Sequence, residues 1–111
     1  MESAMICRLW RGWTKVDKAA AYEELLSSTI IPGIEARAIP GFRHIDMMRR
    51  SIGEEVEFAT IMWFDDLGAI ETFVGQDVEA AHVPASARAV LDRFDERAVH
   101  YEVFDRREQR S

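Results

Sequence analysis

The stretch at residues 54–82, EEVEFATIMWFDDLGAIETFVGQDVEAAH, decides the fold. Over residues 55–64 the side chains alternate. Val56, Phe58, Thr60, Met62 and Phe64 share one face, and Glu57, Ala59, Ile61 and Trp63 share the other. That period of two, in a run rich in β-branched and aromatic residues, predicts a strand. Asp65 and Asp66 then both suit a helix N-cap, because a short carboxylate accepts bonds from the first unpaired amides. Leu67, Ile70, Phe73 and Val74 recur at helical spacing as a buried stripe, and Gly75 suits the C-cap. Residues 76–81 read as one further helical turn, and His82-Val83-Pro84 breaks it.

Upstream, Pro40-Gly41 marks a turn and FRHIDMMRR a second strand, with Phe42, His44, Asp46 and Met48 on one face. Arg43, Ile45, Met47 and Arg49 fall on the other, and residues 51–54 (SIGE) form a hairpin connection. Residues 4–13 predict the first strand, with Met5, Cys7 and Leu9 on one face and Ile6, Arg8 and Trp10 on the other. Both faces are largely apolar, so this strand should be covered on two sides. Arg8 is the exception, and reads as a partly buried ion pair with an acidic neighbour. Thr14 is a candidate N-cap for a helix along VDKAAAYEELLSSTI, with Asp17 in its first turn. Ala19, Tyr22, Leu25, Leu26 and Thr29 form that helix's inner face, and Pro32-Gly33 stops or kinks it before IEARAI.

Downstream, SARAVLDRF is a short helix capped by Ser86. RAVHYEVF is the last strand, with Val99, Tyr101 and Val103 opposite His100 and Glu102, and RREQRS is a polar, frayed tail from about residue 105. The order is β-α-β-β-α-β in a single domain spanning residues 1–111. It predicts an α+β ferredoxin-like sandwich with both helices on one sheet face. The other sheet face is also apolar, and a chain this short buries only about two-thirds of its unfolded surface. A second copy is therefore expected to cover it.

Composition narrows the function. A net charge of −6, from 20 acidic against 14 basic residues, disfavours nucleic acid as a partner. The lone cysteine, Cys7, excludes an internal disulfide framework and suits a reducing cytosol. No apolar run approaches the roughly 20 residues needed to span a bilayer, and MESAMICRLW has no signal-peptide pattern. A cytoplasmic protein without a membrane partner is expected.

Standard catalytic signatures are absent: no phosphate-binding glycine loop, no serine nucleophile elbow, no zinc-type histidine motif. His44, His82 and His100 lie on separate elements without ligand spacing, so no metal site is assigned. Asp65-Asp66 is explained by capping, and Cys7 by its small apolar volume. His82 is harder to absorb into the fold. It follows the predicted turn and precedes a proline break, near a loop mouth, and Glu79 three residues earlier could fix its ring.

These segments, taken together, resemble the antibiotic biosynthesis monooxygenase superfamily of dimeric α+β barrels. The resemblance rests on ICRLWRGWT, AYEELL, PGFRHIDMMRR, EFATIMWFD, AIETFVGQDVEAA and VHYEVF, in the family's order over nearly the whole chain. It implies a homodimer whose sheets pack face to face, each subunit enclosing a pocket between its own sheet and helices. Some members oxygenate polycyclic aromatic phenols without metal or flavin. Others degrade haem with a first-strand asparagine, a second-helix tryptophan and a histidine after it. His82 resembles that histidine, but Cys7 stands at the asparagine position, and Thr72 or Phe73 at the tryptophan position. The resemblance therefore implies a cofactor-independent oxygenase acting on an apolar aromatic compound. Met5, Cys7, Leu9, Tyr22, Trp63 and Phe73 would wall its pocket, and His82 would be the base or orienting group. Haem binding through His82 is the alternative, and a non-enzymatic dimeric ligand-binding protein the third reading.

Overall fold

Residues 5–110 are described by a computed structural model. The elements are β1 (Ile6–Lys15), α1 (Ala19–Leu25), α2 (Ile31–Glu35), β2 (Phe42–Ile52), β3 (Glu55–Phe64), α3 (Leu67–Val74), α4 (Ala85–Arg88), β4 (Arg93–Phe94) and β5 (Val99–Glu102). The sheet is antiparallel in the order β2-β3-β1, with β4 and β5 both pairing the free side of β1. This is the expected α+β ferredoxin-like arrangement, with a two-residue strand added. β4 escaped the sequence reading because two residues carry no periodicity; it pairs Gly12 and Trp13 of β1.

Register decides which residues face the helices. Ile6 pairs with Phe64, Arg8 with Met62, and Trp10 with Thr60. The even-numbered residues of β1 therefore share the inner face with Val56, Phe58, Met62 and Phe64, which are buried. On β2 the alternation is interrupted. Phe42 pairs with Phe64 and His44 with Trp63, leaving Arg43 as an extra residue in a bulge. Phe42 is thereby turned to the inner face, against the expectation that it would sit with His44. It stacks on Phe64 at 5.3 Å between ring centroids. The hairpin turns at Gly53, whose φ of 58° suits glycine.

The first helical stretch departs from expectation at both ends. β1 extends to Lys15, so Thr14 lies fully buried in the strand and caps nothing. Residue 4, where the predicted strand begins, lies outside the described residues. A tight 3-10 turn over Val16–Lys18 leads into α1 without a side-chain cap. Helical backbone then continues through a wide turn, Leu26–Ile30, into α2. Pro32 lacks an amide hydrogen, and a widened turn just before it lets the chain pass through proline instead of stopping. Tyr22, Leu26, Ile30, Ile31 and Ile34 are buried against the sheet; Thr29 is exposed. Burial of such side chains stabilises the fold by about 1.5–3 kcal/mol each.

The two aspartates divide their work. Asp66 Oδ1 accepts from the Ala69 amide at 2.9 Å and caps α3. Asp65 instead takes both ends of the Arg43 guanidinium released by the bulge. Leu67, placed by period in the buried stripe, is exposed, while Ala69, Ile70 and Phe73 carry the packing. Residues 76–81 form two bends, a hydrogen-bonded turn at residues 78–79 and a bridge from Ala80 to Arg97 in place of a helical turn. α4 begins after Pro84, with Ser86 inside it and not its cap. The tail is not wholly frayed, since the Arg106 guanidinium lies 5.3 Å from the Trp63 ring. Among the described residues, no helix is long and apolar enough to cross a membrane.

Candidate functional site

Between the inner sheet face and the helices lies a cavity of about 40 Å³. Aliphatic side chains from the first helical stretch (Leu26, Ile30, Ile31 and Ile34) form one wall. Trp10, Thr60 and Met62 of the sheet form the other. Its polar end is built where β1, α3 and the 76–84 loop meet, by Arg8, Phe73 and His82. The free space has room for only a few water molecules. A ring system must displace side chains to enter.

Arg8 is only 3% exposed, and it is not the ion pair predicted from the sequence. Nη1 donates to the Val78 carbonyl at 2.5 Å and Nη2 to the Ala80 carbonyl at 2.6 Å. A second contact of Nη1, at 3.0 Å, is to His100 Nε2. Because a guanidinium only donates, that nitrogen of His100 must carry a lone pair, so the imidazole is neutral. The non-helical course of residues 76–81 has a purpose here: its bends turn two carbonyls inward onto Arg8. Burial lowers the Arg8 pKa to about 10, which leaves it cationic at neutral pH. Burial and the Arg8 charge also lower the pKa of His100, with Glu79 opposing them.

His82 stands at the cavity mouth, exposed at one edge, with its ring centroid 5.2 Å from that of Phe73. The guanidinium carbons of Arg8 and Arg37 both lie 5.5 Å from the same Phe73 ring. Arg37 is held there by donating to the Thr72 and Phe73 carbonyls at the end of α3, each at 3.0 Å. Partial burial, then the positive charges of Arg37 and Arg8, hold the His82 pKa below its ordinary value. The imidazole is therefore a neutral proton acceptor at neutral pH. Tyr22 reaches the cavity from α1 and packs edge-on to Phe58 at 4.8 Å; burial raises its pKa to about 12, so it stays a neutral phenol. Glu79 was expected to fix the His82 ring, but its carboxylate faces Arg97 at 3.4 Å.

Of the residues singled out from sequence, Tyr22, Phe73 and His82 converge on this cavity. Cys7, Leu9 and Trp63 do not. Cys7 pairs with Trp63 and Leu9 with Ile61, which puts all three on the outer sheet face, away from the helices. Met5 lies with them, its sulfur receiving the Arg106 guanidinium at 3.8 Å. Their assignment to the pocket is corrected: the cavity takes Arg8, Trp10, Thr60 and Met62 instead. Arg8 was missed because a lone charge in an apolar strand reads as a structural ion pair. The signal that could have found it is the register, which sets Arg8 opposite Met62.

The haem alternative does not fit these residues. Cys7, at the expected distal position, is on the far side of the sheet from His82. Phe73 fills the space beside the His82 imidazole, and Thr72 is exposed. Among the described residues, no group of three His, Cys, Asp or Glu side chains could hold a metal ion.

Several solved structures share this architecture. One, a candidate antibiotic biosynthesis monooxygenase from Bacillus cereus, aligns over 96% of this chain and 99% of its own with a TM-score of 0.66. The chain has the antibiotic biosynthesis monooxygenase fold. Identity to that protein is 11%, so the likeness is one of fold. A protein of unknown function from Nitrosomonas europaea is 16% identical over 100% of both chains, with a TM-score of 0.66. A monooxygenase from the ActVA-Orf6 gene of Streptomyces coelicolor, in complex with nanaomycin D, is 13% identical. It covers 97% of this chain and 94% of its own, with a TM-score of 0.57. No protein-family model matches the sequence, and no curated protein matches it.

Proposed function

We propose that the protein is a small dimeric monooxygenase that needs no bound cofactor and acts on a phenolic aromatic compound in the cavity beside His82. The observation that carries this reading is the His82 imidazole, exposed at one edge, sharing the polar end of an apolar cavity with the buried cation of Arg8. A phenolic ring enters by displacing the flexible ends of Leu26 and Met62. His82 accepts the acidic proton, and the apolar walls exclude water while the electron-rich anion reduces dioxygen itself. For an anthrone, the ring methylene becomes a carbonyl. One oxygen atom is retained there, and the other leaves as water with the two methylene hydrogens. The fold shared with the Streptomyces coelicolor monooxygenase supports the same reading.

The outer sheet face supports the dimer. Leu9, Ile61 and Trp63 lie there beside Val99 and Tyr101, which are 46% and 57% exposed. A second copy covers that apolar surface. The lone Cys7 suits a reducing, cytoplasmic setting.

Oxygen uptake in the presence of anthrone and quinol compounds tests the proposal. Uptake should fall by about 10²–10⁴-fold in His82→Ala, the usual contribution of a general base. Uptake unaffected by that change removes the role of His82. The narrowness of the cavity favours a second reading, a dimeric protein that binds such compounds without oxidising them. Saturable binding with no oxygen uptake would select it.

A further inference from the structure

Arg8 sets a problem that the fold alone does not solve. Seven other arginines (Arg11, Arg43, Arg49, Arg50, Arg93, Arg97 and Arg107) each face a carboxylate, and all have side chains at least 44% exposed. Arg8, the buried one, faces none among the described residues. Its acceptors are two backbone carbonyls and a neutral imidazole, which satisfy hydrogen bonds but carry no balancing charge. A buried charge left uncompensated is strongly unfavourable, so a counter-ion at this position is stabilising. A guanidinium has five N–H groups, and the three contacts at Nη1 and Nη2 leave two of them for a further acceptor.

We propose that the cavity binds its ligand as an aromatic monoanion whose charged oxygen is the counter-ion of Arg8. The apolar walls take the aryl body, and the cation at the polar end selects an ionised phenol or an aryl carboxylate over its neutral counterpart. Among the described residues, no carboxylate is in contact with the Arg8 guanidinium. Tyr22 on α1 is a neutral phenol, His100 on β5 and His82 in the loop are neutral imidazoles, and Arg37 adds a second positive charge. Glu79, in the loop, is turned to Arg97. Attraction by the whole protein is not the cause, because the net charge is −6. The inference deepens the proposed function by naming the charge state of the ligand. It rests on the cavity as a ligand site, but not on oxygen chemistry.

The test uses two matched pairs of probes: 4-nitrophenol against 4-nitroanisole, and benzoate against benzamide. Below the free phenol's own pKa, the protein should increase the phenolate absorbance of 4-nitrophenol. Each anion should bind roughly ten- to a hundredfold more tightly than its neutral partner, as expected for hydrogen bonds to a charged group. Arg8→Gln should abolish the phenolate increase and the preference for anions, whereas Arg8→Lys should keep part of both. If neither variant folds, the preference measured on the native protein decides the matter. The stronger anion identifies phenolate or carboxylate as the recognised group. The proposal is overturned if neutral probes bind as well as anions, if Arg8→Gln binds anions undiminished, or if no anion binds at millimolar concentration. Anion binding without oxygen uptake sinks only the oxygenase reading. Oxygen uptake on neutral compounds, undiminished in Arg8→Gln, sinks only this one.

Discussion

Gly12 shows how tightly the cavity wall is set. It sits in β1 beneath the indole of Trp10, and a Cβ added there would lie 2.7 Å from Trp10 Cη2 and 3.0 Å from Leu91 Cδ2. Trp10 cannot simply swing aside, because its Nε1 donates to the Asp95 carbonyl at 2.7 Å. Two effects oppose each other in Gly12→Ala. Removing a glycine from a strand interior is worth about 0.5–1 kcal/mol in favour of alanine. Overpacking by one methyl group costs typically about 1–3 kcal/mol. The anchored indole makes the second effect win, so a net loss of about 0.5–2 kcal/mol is expected. For a domain near 100 residues that lowers Tm by roughly 2–8 °C. Gly33 is the control: it lies in α2, and an added Cβ meets nothing within 4 Å. Gly33→Ala should raise stability by about 0.5–1 kcal/mol. Thermal and urea unfolding read both variants, and near-ultraviolet dichroism reports the displaced indole. A Gly12→Ala protein as stable as the native one, with an unchanged indole signal, would refute the argument that Trp10 is pinned.

Acid should weaken the fold through two histidines. His82 and His100 both have folded pKa values below 6.5, so the unfolded chain binds more protons in that window. Stability should thus be complete above about pH 6.5 and fall as pH drops through the folded values. Stability that instead rises on acidification from pH 6.5 would contradict both assignments. Asp66→Ala removes the cap of α3 and should cost about 1 kcal/mol in urea unfolding. Asp66→Asn, which can still accept from the Ala69 amide, should restore most of it. Light scattering should give twice the 12.7 kDa chain mass, and Ile61→Arg on the outer sheet face should return it to a monomer; a native mass of one chain rejects the dimer.

Much of the fold was legible because its signals are local. The alternation in β3, the aspartate at the head of α3 and the glycine at its end each act within a few residues. The pocket wall was not legible, for a reason of symmetry. β1 is apolar on both faces, so a period of two separates Met5, Cys7 and Leu9 from Ile6, Arg8 and Trp10 without saying which set meets the helices. Only pairing breaks that tie, since Phe64 and Met62 belong to the buried apolar face of β3 and they oppose Ile6 and Arg8. The same non-local cause hid Phe42, whose face is reversed by one extra residue at Arg43. His82 could be placed at a loop mouth from the proline break. Its neutrality could not, because it depends on Arg8 and Arg37, 74 and 45 positions away in the sequence.

β2 is an edge strand: it spans 11 residues and, among the described residues, pairs only with β3. Its outward amides and carbonyls form a ready template on which a foreign strand could add. The bulge at Arg43 interrupts one end, and along the remainder Arg49 and Arg50 form ion pairs with Glu23 and Glu57, so charged side chains flank the strand; both devices discourage such additions. The charges protect only as far as their fields reach, about 10 Å at 0.1 M salt and about 3 Å at 1 M. Concentrated salt, which strengthens apolar packing, thus strips this strand of its electrostatic guard. In such salt, aggregation is expected to begin along β2.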